Sequence, residues 1–121
     1  MILADSSVWI AHLRYDRADL RRFLETGLIC RHEFVVGELA CGTLRRRAET
    51  IALLEQLPDL PVATHREAVD FLDARRLWGR GLRWIDVHLL ASAVLAGARL
   101  WTLDRRLAST ASAMRVGHEA G

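Results

Sequence analysis

With 121 residues, 51% of them hydrophobic and 26% charged, the chain has a folded protein's composition and lacks the polar, highly charged make-up of disorder. The length suits one domain able to bury a real core, so a single domain over residues 1–121 is expected. All 17 basic residues are arginine, set against 15 acids for a net charge of +2, and the lack of lysine excludes any chemistry that needs one. A nucleotide P-loop with its Gly-Lys-Ser/Thr is ruled out. Phosphoryl-transfer folds that pair a strand-end aspartate with a lysine are ruled out with it.

In chain order, Ile2 to Ala4 reads as a short buried strand, and Asp5-Ser6-Ser7 as the caps of a helix that begins near Val8. Tyr15 and Asp16 interrupt that helix. Asp16 and Asp19 are expected to start a second one, with Leu20, Phe23 and Leu24 on one face and Gly27 as its stop. Leu28 to Cys30 predicts a second strand, and Glu33 to Leu44 a helix apolar on nearly every side except at Glu38, hence interior. Past Arg45-Arg46-Arg47, the residues Ile51, Leu54 and Leu57 mark a helix ended by Pro58.

Leu60 to Ala63 predicts a third strand, and Thr64 to Glu67 the capping box of a helix running to Gly79. Ile85 to Ala96 is expected as a helix with Asp86 on its packed face, followed by a strand that ends at Asp104. A short helix from Arg105 to about Ser112 and an edge strand near Met114 to Val116 complete the chain. Strands alternating with helices, without repeats or linkers, predict an α/β fold: a parallel central sheet flanked by helices on both faces.

The apolar stretch from Val87 to Leu100 is broken by His88, Ser92, Gly97 and Arg99, too short and polar to span a bilayer. The start, Met1 to Asp5, lacks the basic region and long apolar run of a signal peptide, so a cytoplasmic protein without membrane contact is expected. Cys30 and Cys41 form no CxxC and read as two buried thiols. The five histidines lack the i, i+4 pairing of a helical zinc site, and His88 is expected on the side of its helix away from Asp86.

Four acids stand in awkward places. Asp5 and Asp104 close two apolar runs, and if both runs are parallel strands their carboxylates emerge at the carboxyl edge, where open α/β sheets bind ligands. Glu38 and Asp86 lie inside apolar stretches, where an unpaired charge is costly. An oxygen-only cluster of this kind suits Mg²⁺ or Mn²⁺, which can polarise a phosphoryl oxygen and activate water. The rival readings are strand-end turns and helix caps for Asp5 and Asp104, and buried ion pairs with arginine for Glu38 and Asp86.

Four segments, Ile2-Leu3-Ala4-Asp5-Ser6-Ser7-Val8-Trp9-Ile10, Val36-Gly37-Glu38-Leu39-Ala40-Cys41-Gly42, Ile85 to Ala93 and Leu100-Trp101-Thr102-Leu103-Asp104, together resemble the PIN domain. They resemble in particular the VapC-type ribonuclease toxins of bacterial toxin-antitoxin modules, in family order over nearly the full length. The resemblance implies an Mg²⁺- or Mn²⁺-dependent endoribonuclease with Asp5, Glu38, Asp86 and Asp104 as its acidic centre, and with Asp5, Asp86 and Asp104 as metal ligands. It also implies a homodimer, an RNA substrate and a small cognate antitoxin whose tail enters the active groove. Many relatives carry a further Asp just after the position of Asp104; here Arg105-Arg106-Leu107 follows, and no fifth acid is expected.

Ser6 and Thr102, beside the acids, are candidates to hold a carboxylate or a phosphate, and Arg83 and Arg105 to bind substrate; Arg80 shares their claim by its nearness to Asp86. The four tryptophans, Trp9, Trp78, Trp84 and Trp101, read as core or dimer packing ahead of base stacking. Two alternatives accompany the ribonuclease reading: a degenerate PIN fold that only binds, and a metal-dependent DNA nuclease.

Overall fold

The computed structural model describes residues 1–119. Its centre is a sheet of three short parallel strands, β1 (Ile2–Ala4), β2 (Ile29–Cys30) and β3 (Arg99–Trp101), in the order β2-β1-β3. Leu3 and Ala4 of the central strand are wholly buried, as expected for a parallel strand covered on both faces. The chain leaves β1 for β2 on one side and returns as β3 on the other, and this reversal opens a crevice at the carboxyl ends of β1 and β3.

Among the described residues seven helices surround the sheet: α1 (Ser6–Tyr15), α2 (Ala18–Glu25), α3 (Glu33–Ala40), α4 (Arg47–Glu55), α5 (His65–Ala74), α6 (Trp84–Ala96) and α7 (Arg105–Ala113). The α/β class is the one expected. α6 is the most deeply placed, with every residue from Asp86 to Ala93 buried, and it stops at Gly97, whose φ of 67° lies in the left-handed region open to glycine. The capping box of α5 is present: Glu67 N–H donates to Thr64 Oγ1 (3.1 Å) and Thr64 N–H to Glu67 Oε1 (2.8 Å). None of the described helices is long and apolar enough to cross a membrane.

Several expectations are corrected. Leu60 to Ala63 is not a strand: only Asp59 bridges to Arg31, because Pro58 and Pro61 have no N–H to give a ladder. The edge strand near Met114 to Val116 reduces to one bridge between Leu100 and Gly117, since α7 and its turn consume those residues. β3 ends at Trp101, so Asp104 caps the next helix. Asp16, with φ of 53°, ends α1 and does not begin α2.

α3 stops at Ala40, short of Leu44; the turn through Gly42 follows, and Arg47 Nε donates to the free carbonyl of Ala40 (2.9 Å). Nor is α3 interior, because Val35 and Leu39 are buried while Phe34 and Gly37 are exposed. Cys30 is buried, whereas Cys41 is exposed. Trp9 and Trp101 belong to the core; Trp78 and Trp84 are 61% and 42% exposed.

One polar network locks α3 to α6. His32, with no exposed surface, caps α3 by accepting from Phe34 N–H at Nδ1 (3.0 Å), which places its proton on Nε2, against Ser92 Oγ of α6 (3.0 Å). Ser92 Oγ also accepts from Ala63 N–H (2.9 Å), so the loop before α5 is held at the same point. Burial, reinforced by nearby His88, pushes His32 down to about 4. Between pH 6.5 and 4 the unfolded chain therefore binds a proton that the folded chain refuses, and stability falls as pH falls through that window.

Urea unfolding at pH 7.5, 6 and 4.5 should show this as a loss on the order of 1 to 3 kcal/mol. Ser92→Ala, which strands His32 Nε2–H and Ala63 N–H, should cost about 1 to 3 kcal/mol at pH 7.5. A flat pH profile would show that His32 is not held neutral.

Candidate active site

Four elements deliver the four acids to the crevice. Asp5 directly follows β1 and caps α1, its Oδ1 accepting from the N–H groups of Ser7 (3.0 Å) and Val8 (3.3 Å). The same oxygen accepts from Ser7 Oγ, and Oδ2 accepts from Thr102 Oγ1, both at 2.5 Å. Asp104 caps α7 through Leu107 N–H (3.0 Å), and its own N–H donates to Thr102 Oγ1 (3.1 Å). The Thr102 hydroxyl thus ties the Asp5 carboxylate to the backbone of Asp104. Ser7 Oγ strengthens the tie by accepting from Leu103 N–H (2.9 Å).

The other pair meets around an arginine. Glu38 on α3 takes Ser6 Oγ on Oε1 (2.9 Å) and has Arg83 Nη1 3.5 Å from Oε2. Asp86, in the first turn of α6, accepts from Arg83 N–H at Oδ2 (2.9 Å) and from Arg83 Nη2 at Oδ1 (3.2 Å). Asp86 is nearly enclosed, while 61% of the Arg83 side chain is exposed, so the guanidinium closes the acidic pair from the solvent side. The hydrogen bond that Arg83 donates to Asp86 raises the Arg83 pKa, and the charges of Asp86, Glu38 and Asp104 add to it.

Burial, opposed by four hydrogen bonds, raises the Asp5 pKa above its ordinary value. Three of the four acids sit at helix N-termini, Asp5 on α1, Asp86 on α6 and Asp104 on α7, where free N–H groups and the helix dipole favour negative charge. The capping and ion-pair roles therefore hold for these residues, and they coincide with the crevice.

The donor set is all oxygen, which suits a hard divalent cation. Glu38 and Asp86 already face one cationic group, the Arg83 guanidinium. Among the described residues no three acidic, histidine or cysteine side chains are close enough to enclose an ion alone. An ion that keeps several waters needs only one or two carboxylates.

Of the candidates beside the acids, Ser6 holds Glu38 and Thr102 holds Asp5 and Asp104. Arg83 is committed to Glu38 and Asp86, whereas Arg105, exposed on the first turn of α7, makes no ion pair among the described residues. His88 faces away from the acids, packed edge-on against Phe34 (4.9 Å) and Trp84 (4.7 Å). Ser7 is the residue that sequence reasoning missed. Its signal was a hydroxyl two positions after a capping aspartate, a spacing that lets it turn back onto the carboxylate.

A family model described as the PIN domain matches residues 2–113. The chain belongs to the PIN domain family. Its relatives include Ribonuclease VapC32 of Mycobacterium tuberculosis strains CDC 1551 / Oshkosh and ATCC 25618 / H37Rv, each 47% identical over 108 residues that cover 88% of this chain and 87% of the relative. This PIN domain is thus similar to a VapC-type protein over most of both lengths. The crystal structure of PAE2754 from Pyrobaculum aerophilum superposes with a TM-score of 0.61, at 17% identity, over 89% of this chain and 77% of that one, and supports the fold.

Asp5 costs the PIN fold stability at neutral pH, because its raised pKa means that folding penalises the charged form. Asp5→Asn keeps the cap through Oδ1 and can donate from Nδ2 to Thr102 Oγ1 without that penalty. In EDTA at pH 7.5, calorimetry should show Tm raised by about 2 to 6 °C. The advantage should shrink as pH falls through the Asp5 folded pKa, where the wild-type carboxyl takes up its proton. A lowered Tm at pH 7.5 would show that the hydrogen bonds outweigh the burial cost.

Proposed function

We propose that this PIN domain is an Mg²⁺- or Mn²⁺-dependent endoribonuclease, the cytoplasmic toxin of a toxin-antitoxin module, and that it hydrolyses RNA phosphodiesters with water as the nucleophile. The observation that carries the reading is the convergence of Asp5, Glu38, Asp86 and Asp104 at one sheet edge through shared hydroxyl and guanidinium contacts. The 47% identity to proteins named Ribonuclease VapC32 supports it.

Asp5, Asp86 and Asp104 would hold the cation, in part through its retained waters, and when bound it would polarise the phosphoryl oxygen and lower the pKa of a coordinated water. Thr102 and Ser7 keep the Asp5 carboxylate in one orientation, and Ser6 does the same for Glu38. Glu38, bound by Ser6 on one oxygen, is the acid we assign to receive the proton of the attacking water. Arg83 offsets part of the charge of Glu38 and Asp86. Its largely exposed side chain leaves it room to swing away.

A small antitoxin and a second copy of the chain are the partners we assign. Exposed Leu53 (65%), Trp78 (61%) and Leu95 (60%) leave apolar surface for protein contacts, and light scattering after gel filtration should report a dimer.

Protein purified free of antitoxin should cleave structured RNA with Mg²⁺ or Mn²⁺ and not in EDTA. Asp5→Asn and Asp86→Asn, assayed on the same RNA, should each lower kcat by about 100-fold or more. Cleavage that persists in EDTA would overturn the metal assignment. Growth inhibition that survives Asp86→Asn would favour a binding module, and equal cleavage of DNA a less selective nuclease.

A further inference from the structure

Beyond the acids, a cleft of about 350 Å³ is lined by Arg80, Arg105, Arg106, Ser109, Thr110 and Ala113. We propose that Arg80, Arg105 and Arg106 grip backbone phosphates of the RNA strand beside the acidic centre. The inference rests on the ribonuclease reading and adds to it where the substrate is held. Arg105 and Arg106 open α7 directly after Asp104, so the cleft begins where the acids end. All three arginines are exposed, and none has an ion-pair partner among the described residues, whereas Arg83 spends its charge on Glu38 and Asp86.

The cleft is shaped by backbone as well as by charge. Arg80 stands between Gly79 and Gly81, whose φ values of 74° and 75° lie in the left-handed region. A Cβ on Gly81 would lie 2.4 Å from Arg106 Nη1, so the guanidinium rests against bare backbone and the glycine loop is seated on α7. This brings Arg80 to the same cleft as two residues 25 and 26 positions later in the chain.

Electrostatics selects the occupant. Four acids with one neutralising arginine repel a phosphodiester, and a net charge of +2 offers little general attraction for RNA. A strand can be held against that repulsion only by uncompensated cations close by, and guanidinium forks match phosphate geometry. Arg80, Arg105 and Arg106 meet that need.

The test is fluorescence anisotropy of a labelled single-stranded RNA in EDTA, so that binding is read without cleavage, across a series of salt concentrations. Arg80→Ala, Arg105→Ala and Arg106→Ala should each lower the slope of log affinity against log salt by about 0.7, and the triple variant by about 2. At roughly 0.1 M salt the triple variant should bind about 10- to 100-fold more weakly. Arg66→Ala, an exposed α5 arginine paired with Asp70, should change neither quantity. The triple Arg→Lys variant should recover most of the slope, because lysine keeps the charge.

Unchanged affinity and slope in the triple Ala variant would overturn the proposal. So would a Lys variant as weak as the Ala variant, or retained RNA binding with lost binding of poly-glutamate, which would assign the cleft to an acidic protein segment. Circular dichroism checks folding, and if the triple variant unfolds, the single variants decide by the same slopes. An arginine-dependent slope in a wild type that cuts no RNA with Mg²⁺ or Mn²⁺ would refute the ribonuclease reading and leave the cleft. Wild-type cleavage with slopes unmoved by the substitutions would refute the cleft alone.

Discussion

Everything at this site depends on keeping four carboxylates together at one edge of a small sheet. Like charges so gathered repel, and burial of Asp5 adds a desolvation cost. The fold offsets both locally. Three helix N-termini face the crevice with free N–H groups, the Ser6, Ser7 and Thr102 hydroxyls donate to Glu38 and Asp5, and Arg83 bridges Glu38 and Asp86. The same contacts that make the acids tolerable also fix their orientation. The structural roles of these acids and the chemical roles proposed for them therefore fall on one set of atoms.

Behind the acids lies a second layer of control. Glu38 and Asp86 come from helices far apart in the chain, and their relative placement depends on how α3 and α6 meet. The buried His32–Ser92 contact sets that meeting point and also takes up the Ala63 N–H that would otherwise be stranded by the proline-broken segment before it. A neutral buried imidazole is suited to this work because one nitrogen accepts at the cap while the other donates across to the neighbouring helix. The cost is sensitivity to acid.

Charge is divided by place in this lysine-free chain. Guanidinium groups near the acids are either spent internally, as at Arg83, or left unpaired in a cleft, as at Arg80, Arg105 and Arg106. The distinction follows from backbone geometry. Arg83 immediately precedes α6 and reaches forward to Asp86 within one turn, while Arg105 and Arg106 lie on α7 beyond the capping aspartate.

Much of this was legible in the residues themselves. Apolar runs closed by Asp5 and Asp104, the α3 and α6 patterns around Glu38 and Asp86, and the Thr64–Glu67 box are local signals, set by strand burial, helical period and capping chemistry over a few positions. They were sufficient for the α/β class and the PIN resemblance. Tertiary structure decided what short-range rules cannot: that Pro58 and Pro61 leave only Asp59 to bridge, that Cys41 and two tryptophans stay exposed, and that Ser7 reaches Leu103 while Arg83 stands between two acids. The sequence by itself determined which groups carry charge and which segments must be buried, because both are properties of residues and their near neighbours. Which charges face one another was settled only by the strand order β2-β1-β3, which brings Asp5 beside a segment almost a hundred residues away.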